Sequence, residues 1–236
     1  MTTIRTNLQR VRARMAAACA AAQRDVKEVR LLAVAKTFGP EAVREACSAG
    51  QVAFGENYIQ EAVEKMALLA DLPLEWHCIG PIQSNKTRLV AAHFAWAHTV
   101  DRLKVAQRLS EQRPDGMAPL QVCIQVNIDG GPTKSGVAPQ QVLALAREVA
   151  RLPRIALRGL MTIPEPVAGF EAQKAVHLRA KALYDSLRDA GLALDTLSMG
   201  MTADLEAAIA AGSTMVRVGT AIFGGRPRGT EVIRPG

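Results

Sequence analysis

Lys36 closes the apolar run Leu31-Leu32-Ala33-Val34-Ala35. A lysine at the end of such a strand sets an amine at the edge of a low-dielectric interior. Burial there disfavours an ammonium and leaves neutral amine able to attack a carbonyl and form a Schiff base. The alternative is a strand-end lysine whose long stem carries its charge out to water. Further along, Ser198, Gly200, Thr202, Gly219 and Thr220 make two small, hydroxyl-rich stretches. Glycine admits a ligand close to the backbone and helix N-termini offer free amides, so these stretches suit a phosphate. Asp204 and Glu206 follow Thr202 and would repel a phosphate they faced, which weights the amides at Gly219 and Thr220 above those after Thr202. Arg217 stands two residues before Gly219 and shares its strand face. Its guanidinium keeps its proton, so burial demands a partner: a carboxylate such as Glu56 or Asp101, or a ring nitrogen of a ligand.

These groups act together only if a fold collects them. Short runs rich in Val, Ile and Leu alternate with segments of helical period, and eight strands are predicted at 29–36, 51–55, 74–80, 95–100, 120–128, 155–162, 196–199 and 214–218. Pro40 opens a helix that Gly50 closes, Asn57 is placed to cap the next, and Gly191 and Gly212 follow later ones. Helix 140–151 carries Val142, Leu145, Ala146 and Val149 on one stripe. Eight such alternations in 236 residues describe an α/β chain folded as a single-domain (β/α)8 barrel over 1–236, with an extra N-terminal helix. That helix has the apolar face Leu8, Val11 and Met15, and the arginines at 5, 10, 12 and 14 read as its solvated side. An open dinucleotide-binding sheet would carry a glycine-rich turn after its first strand, but Lys36-Thr37-Phe38-Gly39-Pro40 stands there.

In a barrel of this kind the site is built at the C-terminal strand ends, and the last two loops frequently hold phosphate beside a short extra helix. The strand ends present Lys36, Glu56-Asn57, Gly80, Asp101, Asn127, Thr162, Ser198-Met199-Gly200 and Gly219-Thr220, and Thr220–Phe223 is the candidate extra helix. A carbonyl partner for Lys36, a phosphate on the opposite wall and a ring nitrogen facing Arg217 together describe pyridoxal 5'-phosphate (PLP), whose pyridine nitrogen is met by Asp or Arg. An arginine donates without protonating the ring, which is then held but only mildly activated.

Six blocks carry a family resemblance: Leu32-Ala33-Val34-Ala35-Lys36-Thr37; Phe54-Gly55-Glu56-Asn57-Tyr58-Ile59-Gln60-Glu61; Trp76-His77-Cys78-Ile79-Gly80 with Gln83-Ser84-Asn85-Lys86; Gly159-Leu160-Met161-Thr162-Ile163; Ser198-Met199-Gly200-Met201-Thr202; and Val216-Arg217-Val218-Gly219-Thr220-Ala221-Ile222-Phe223-Gly224. In this order they span nearly the whole chain, which resembles the pyridoxal phosphate homeostasis protein family. The resemblance implies a barrel of PLP fold type III, similar to the N-terminal domain of alanine racemase and usually monomeric. It implies a cofactor in aldimine linkage to Lys36, phosphate contacts around Ser198, Gly219 and Thr220, Arg217 at the ring nitrogen and Asn57 beside the ring. It also implies intracellular vitamin B6 homeostasis and supply, with apo-PLP enzymes as transient recipients and no established catalytic reaction. Phe38 departs from the pattern, since many members have a second lysine there. Thr202 keeps the hydroxyl of the commoner serine, and Lys134 matches the family's lysine-bearing loop, where a second PLP site is conceivable.

Composition narrows the classes. The net charge of +7 admits anionic partners, but five Phe, two Tyr and two Trp without a cluster argue against nucleic acid. No apolar stretch reaches the roughly 20 residues of a membrane span, and four scattered cysteines without metal spacing suit a reducing, cytoplasmic setting. The four histidines show no convergent metal spacing, and Trp76 and Trp96 read as barrel core. A residual PLP-dependent racemase or transaminase is the alternative activity. Two-base racemisation needs a second group facing the lysine, yet Tyr58 falls after Asn57 and Tyr184 in an outer helix.

Overall fold

Thr3 starts the first helix, its hydroxyl accepting from the amide of Thr6, and α1 (Ile4–Ala21) follows. Leu8, Val11 and Met15 are buried as expected, together with Ala18 and Cys19. This is a computed structural model, and it describes residues 3–131 and 135–225. Lys134 lies outside the described residues.

The strands are β1 (Arg30–Val34), β2 (Ala53–Glu56), β3 (Glu75–Cys78), β4 (Trp96–Val100), β5 (Leu120–Val126), β6 (Ile155–Thr162), β7 (Thr196–Ser198) and β8 (Met215–Val218). They pair in parallel in chain order, and β8 returns to β1 with Arg30 opposite Met215 and Ala33 opposite Val218, closing the barrel. The connecting helices are α2 (Pro40–Ser48), α3 (Ile59–Leu68), α4 (Thr87–His93), α5 (Leu103–Gln112), α6 (Val142–Val149), α7 (Phe170–Asp189) and α8 (Leu205–Ala210), and the short α9 (Thr220–Phe223) follows β8.

Period-two alternation sorts each strand into two faces. Ala33, Phe54, Trp76 and Val122 belong to the shell between sheet and helices, where each fully buried large side chain contributes roughly 1.5–3 kcal/mol. The bore is filled by Leu32, Ala53, Ile79 and Met215 on one side and by Trp96, Cys123 and Met161 on the other. Both tryptophans are core, as predicted.

Local differences have local causes. The first strand stops at Val34 rather than 36, because Phe38 donates back to the Ala35 carbonyl at 3.1 Å and turns the chain, leaving Lys36 on the turn. The predicted helix 140–151 begins as a single 3-10 turn, Pro139–Gln141, before α6. Asn57 does not cap α3: Tyr58 holds that position, without a side-chain cap.

Candidate functional site

At the C-terminal strand ends a cleft of about 300 Å³ is lined by Lys36, Asn57, Thr202, Arg217, Gly219 and Thr220 among polar and glycine positions, and by Val34, Ile79, Ile163, Met201 and Ala203 among apolar ones. Five of the six expected site residues therefore share one cavity. Each is placed by something identifiable in the sequence.

Lys36 is half-buried and makes no hydrogen bond or ion pair with a described residue. Its position is set from behind. Lys65 of α3 donates to the carbonyl of Ala35, next to Lys36, at 2.9 Å and to Oε1 of buried Glu56 at 2.6 Å. Burial pushes the Glu56 carboxyl up from its ordinary range, opposed by the Lys65 charge and hydrogen bond. Neither Glu56 nor Asp101 is the partner of Arg217, as one reading of the sequence allowed: Glu56 belongs to Lys65, and Asp101 accepts from Arg102.

Arg217 is almost wholly buried, yet it meets no carboxylate within salt-bridge distance among the described residues. Its Nη1 donates to Ser198 Oγ at 2.8 Å and its Nη2 to the Thr162 carbonyl at 2.8 Å. Desolvation lowers its pKa to about 10, so it stays a cation at neutral pH. Ser198 is the expected residue that the cleft does not include. Its hydroxyl is fully buried between Arg217 and His98 Nδ1, the latter at 3.0 Å. Strand alternation explains the change: Ser198 is the last residue of a three-residue strand and points into the bore, below the loop that reaches the mouth.

Thr202, named beside Ser198 in the sequence reading, does line the cleft. It faces Thr220, the two hydroxyl oxygens being 3.4 Å apart. The acidic pair after it is turned away. Asp204 Oδ1 accepts from the Met201 amide and Oδ2 pairs with His177 at 2.9 Å, while Glu206 is taken by Arg14. Burial pushes the Asp204 carboxyl up, but the bonds from His177 and Met201 bring it below its ordinary value. The repulsion argued from sequence is reduced, because both carboxylates already have donors and neither lines the cleft.

Glycine matters at two positions. At Gly219 a Cβ would lie 3.1 Å from the Val34 carbonyl, so β8 and β1 approach closely there. At Gly80 a Cβ would collide with the Asn57 backbone at 2.1 Å, so Gly80 lets the Asn57 loop sit over β3. In α9 the first backbone donors are Ile222 and Phe223, both to the Gly219 carbonyl, which leaves the Thr220 and Ala221 amides without an acceptor inside the helix.

The N-terminal helix contributes more than a solvated face. Arg14 donates to the Thr202 carbonyl at 3.1 Å, Asn7 to the Ile222 carbonyl at 2.9 Å, and Arg12 to the carbonyls of Ala49 and Gly50. Two of the four arginines read as surface charge, Arg12 and Arg14, thus tie loops down. Phe38 stacks on Phe223 with ring centroids 5.0 Å apart, packing the turn after Lys36 against α9.

His77 and His98, which spacing did not bring together, meet in the bore at 2.9 Å. They lie on β3 and β4, whose inward faces are adjacent in a barrel, so strand neighbourhood was the signal. Among the described residues no group of three His, Cys, Asp or Glu side chains could hold a metal ion.

Comparison with known proteins agrees with this architecture. Residues 3–227 match the family described as alanine racemase, N-terminal domain. Over 229 residues the chain is 59% identical to the pyridoxal phosphate homeostasis protein of Pseudomonas aeruginosa, covering 97% of this chain and 98% of that one. This chain belongs to the pyridoxal phosphate homeostasis protein family. Another member, from Escherichia coli, is 50% identical over 229 residues, covering 96% of this chain and 98% of that protein. Of solved structures, PipY of Synechococcus elongatus with PLP bound superposes with a TM-score of 0.79 at 37% identity, over 89% of this chain and all of that one. Alanine racemase of Clostridium difficile, at 16% identity and a TM-score of 0.73, covers 95% of this chain with 57% of its own length and shares the fold.

Proposed function

We propose that this protein binds pyridoxal 5'-phosphate covalently through Lys36 and serves to store and deliver it in vitamin B6 homeostasis. The observation that carries the reading is the convergence, in one cleft of about 300 Å³, of a lysine and a buried arginine that have no carboxylate partner among the described residues and a cradle of glycine and threonine. Bound there, the group supplies an aldehyde for the lysine amine and a pyridine ring as electron sink. The chain's residues supply the rest. Thr202, Gly219 and Thr220 hold the phosphate with hydroxyls and backbone amides, Arg217 donates toward the ring nitrogen, and Asn57 with Ile79 and Val34 brackets the ring. Ser198 acts one layer below, as the acceptor that holds Arg217.

Family membership and the PLP-bound PipY structure support this reading. The position of the tyrosines supports storage over two-base racemisation. Tyr58 is half exposed at the start of α3, Tyr184 is buried in α7, and neither lines the cleft that holds Lys36. Two-base racemisation would need a second base opposite the amine; transamination, which the lysine alone can carry, is decided by the exchange test below. A monomer in the cytoplasm, handing its cofactor to apo-enzymes by transient contact, completes the proposal. No helix among the described residues is long and apolar enough to cross a membrane.

The test is α-proton exchange. Purified protein loaded with PLP is incubated with amino acids in heavy water and followed by proton NMR. A carrier gives no exchange above that of free PLP; exchange at catalytic turnover would reject storage in favour of an enzyme.

A further inference from the structure

The bore holds a continuous polar path from the barrel floor to the cleft. Glu75 Oε1 is 2.7 Å from His77 Nε2 and accepts from Arg30 at 2.7 Å. His77 Nδ1 lies 2.9 Å from His98 Nε2, His98 Nδ1 lies 3.0 Å from Ser198 Oγ, and that oxygen accepts from Arg217. All members except Glu75 are buried. Four strands contribute, so the path crosses the barrel rather than following one strand.

Its direction can be worked out from either end. A carboxylate only accepts, so His77 donates from Nε2. A neutral imidazole carries one ring proton, so His77 Nδ1 accepts, and His98 must donate from Nε2. His98 Nδ1 is then bare and takes the Ser198 hydroxyl proton. That leaves the Ser198 oxygen turned to Arg217, and a guanidinium can only donate. The two ends agree and no contact sets donor against donor. Burial lowers the basicity of both imidazoles; Glu75 opposes this at His77 and Arg30 adds to it, while at His98 Arg217 and Arg30 both add to it, and the net direction fits the neutral forms.

We infer that Glu75, His77 and His98 are positioning residues for Arg217. They form a one-way hydrogen-bond relay that fixes Ser198 as an acceptor and so holds the guanidinium in one orientation beneath the cleft. Every dipole along the path has its negative end toward Arg217, and this offsets the missing carboxylate beside a buried cation. If the relay is cut, the Ser198 hydroxyl rotates freely and can present its proton to Arg217 instead of its oxygen. The functional part of the inference rests on the PLP reading above; the relay itself does not.

Two measurements test it. The first needs no cofactor: long-range nitrogen-proton correlation NMR of the ¹⁵N-histidine-labelled apo-protein at pH 7.5, with signals assigned by single substitution. The relay requires His77 and His98 both as neutral Nε2–H tautomers. An Nδ1–H tautomer or an imidazolium at either residue overturns it. The second uses protein loaded with PLP. His98→Leu removes both hydrogen bonds, whereas His98→Asn keeps an acceptor near the Nδ1 position. The expected result is PLP affinity lowered roughly fivefold in His98→Leu, with a moved pH midpoint of the visible band, and both largely restored in His98→Asn. Equal losses in both variants, in proportion to lost thermal stability, would mean a merely structural role. Failure of the wild-type protein to take up PLP would remove the functional reading while the tautomer measurement still decides the relay.

Discussion

Lys65 and Glu56 form a buried ion pair at 2.6 Å, and the same ammonium holds the carbonyl that immediately precedes Lys36. The residue that would carry the cofactor is thus fixed through its neighbour's backbone. Replacing Lys65 by Met leaves the buried Glu56 carboxyl without its cation, either charged in a dry site or forced to take up a proton. A loss of about 3–5 kcal/mol is expected, read as a lower urea midpoint at unchanged slope. The double variant Lys65→Met with Glu56→Leu should recover much of that stability, because no lone charge remains.

The loop after β7 depends on α1. Arg14 and Glu206 are each partly exposed, so breaking their ion pair costs no more than about 1 kcal/mol. Arg14→Ala also frees the Thr202 carbonyl. The expected outcome is a nearly unchanged melting temperature with a severalfold faster loss of PLP, measured by transfer to an excess of an apo-enzyme trap. A fall in melting temperature without faster release would contradict the loop-holding role.

On the proposed reading Thr202 meets the phosphate, whereas Ser198 acts through Arg217. Thr202→Ala should weaken PLP roughly three- to tenfold and leave pyridoxal, which lacks the phosphate, unaffected. Ser198→Ala should weaken both, because it acts through Arg217 on the ring. Equilibrium dialysis with each ligand separates these outcomes.

Much of this arrangement is readable from residue types, and what is not has a common cause. Periodicity finds strands because burial on both faces leaves a continuous apolar run, as in Leu31-Leu32-Ala33-Val34-Ala35, and the order of eight such runs is enough for a barrel. Lys36, Arg217, Gly219 and Thr220 are legible because they end strands. The placing of Ser198 in the bore and Thr202 at the cleft is not, because it turns on whether a three-residue strand stops one residue earlier or later. Nor is the turning away of Asp204 and Glu206, whose partners His177 and Arg14 lie 27 and 192 residues distant. The meeting of His77 with His98 has the same character: a pairing across neighbouring strands leaves no trace in linear spacing.

Stability should depend on pH through those two histidines. In the folded protein burial lowers both below the ordinary value of 6.5, with Glu75 opposing at His77 and the charges of Arg30 and Arg217 adding to the effect. The unfolded chain therefore binds more protons as pH falls. Their contribution is fully present above 6.5 and is lost progressively below it, at no more than about 2.7 kcal/mol per pH unit for two sites. Glu75, whose hydrogen bond from His77 holds it at about 2 against an ordinary 4.5, acts in the same direction at still lower pH. Urea unfolding at pH 7.5, 6.0 and 5.0 should show falling midpoints, with a shallower fall in His98→Leu. Midpoints constant over this range would contradict neutral, buried imidazoles.

The identity of the attached lysine decides the central claim. Protein incubated with PLP is reduced with borohydride, digested and mapped by mass spectrometry, beside a Lys36→Ala control. A reduced pyridoxyl adduct is expected on the peptide containing Lys36, with loss of both adduct and visible band in a Lys36→Ala protein whose circular dichroism is unchanged. A principal adduct on Lys86 or Lys134, or none on the wild-type chain, would contradict it.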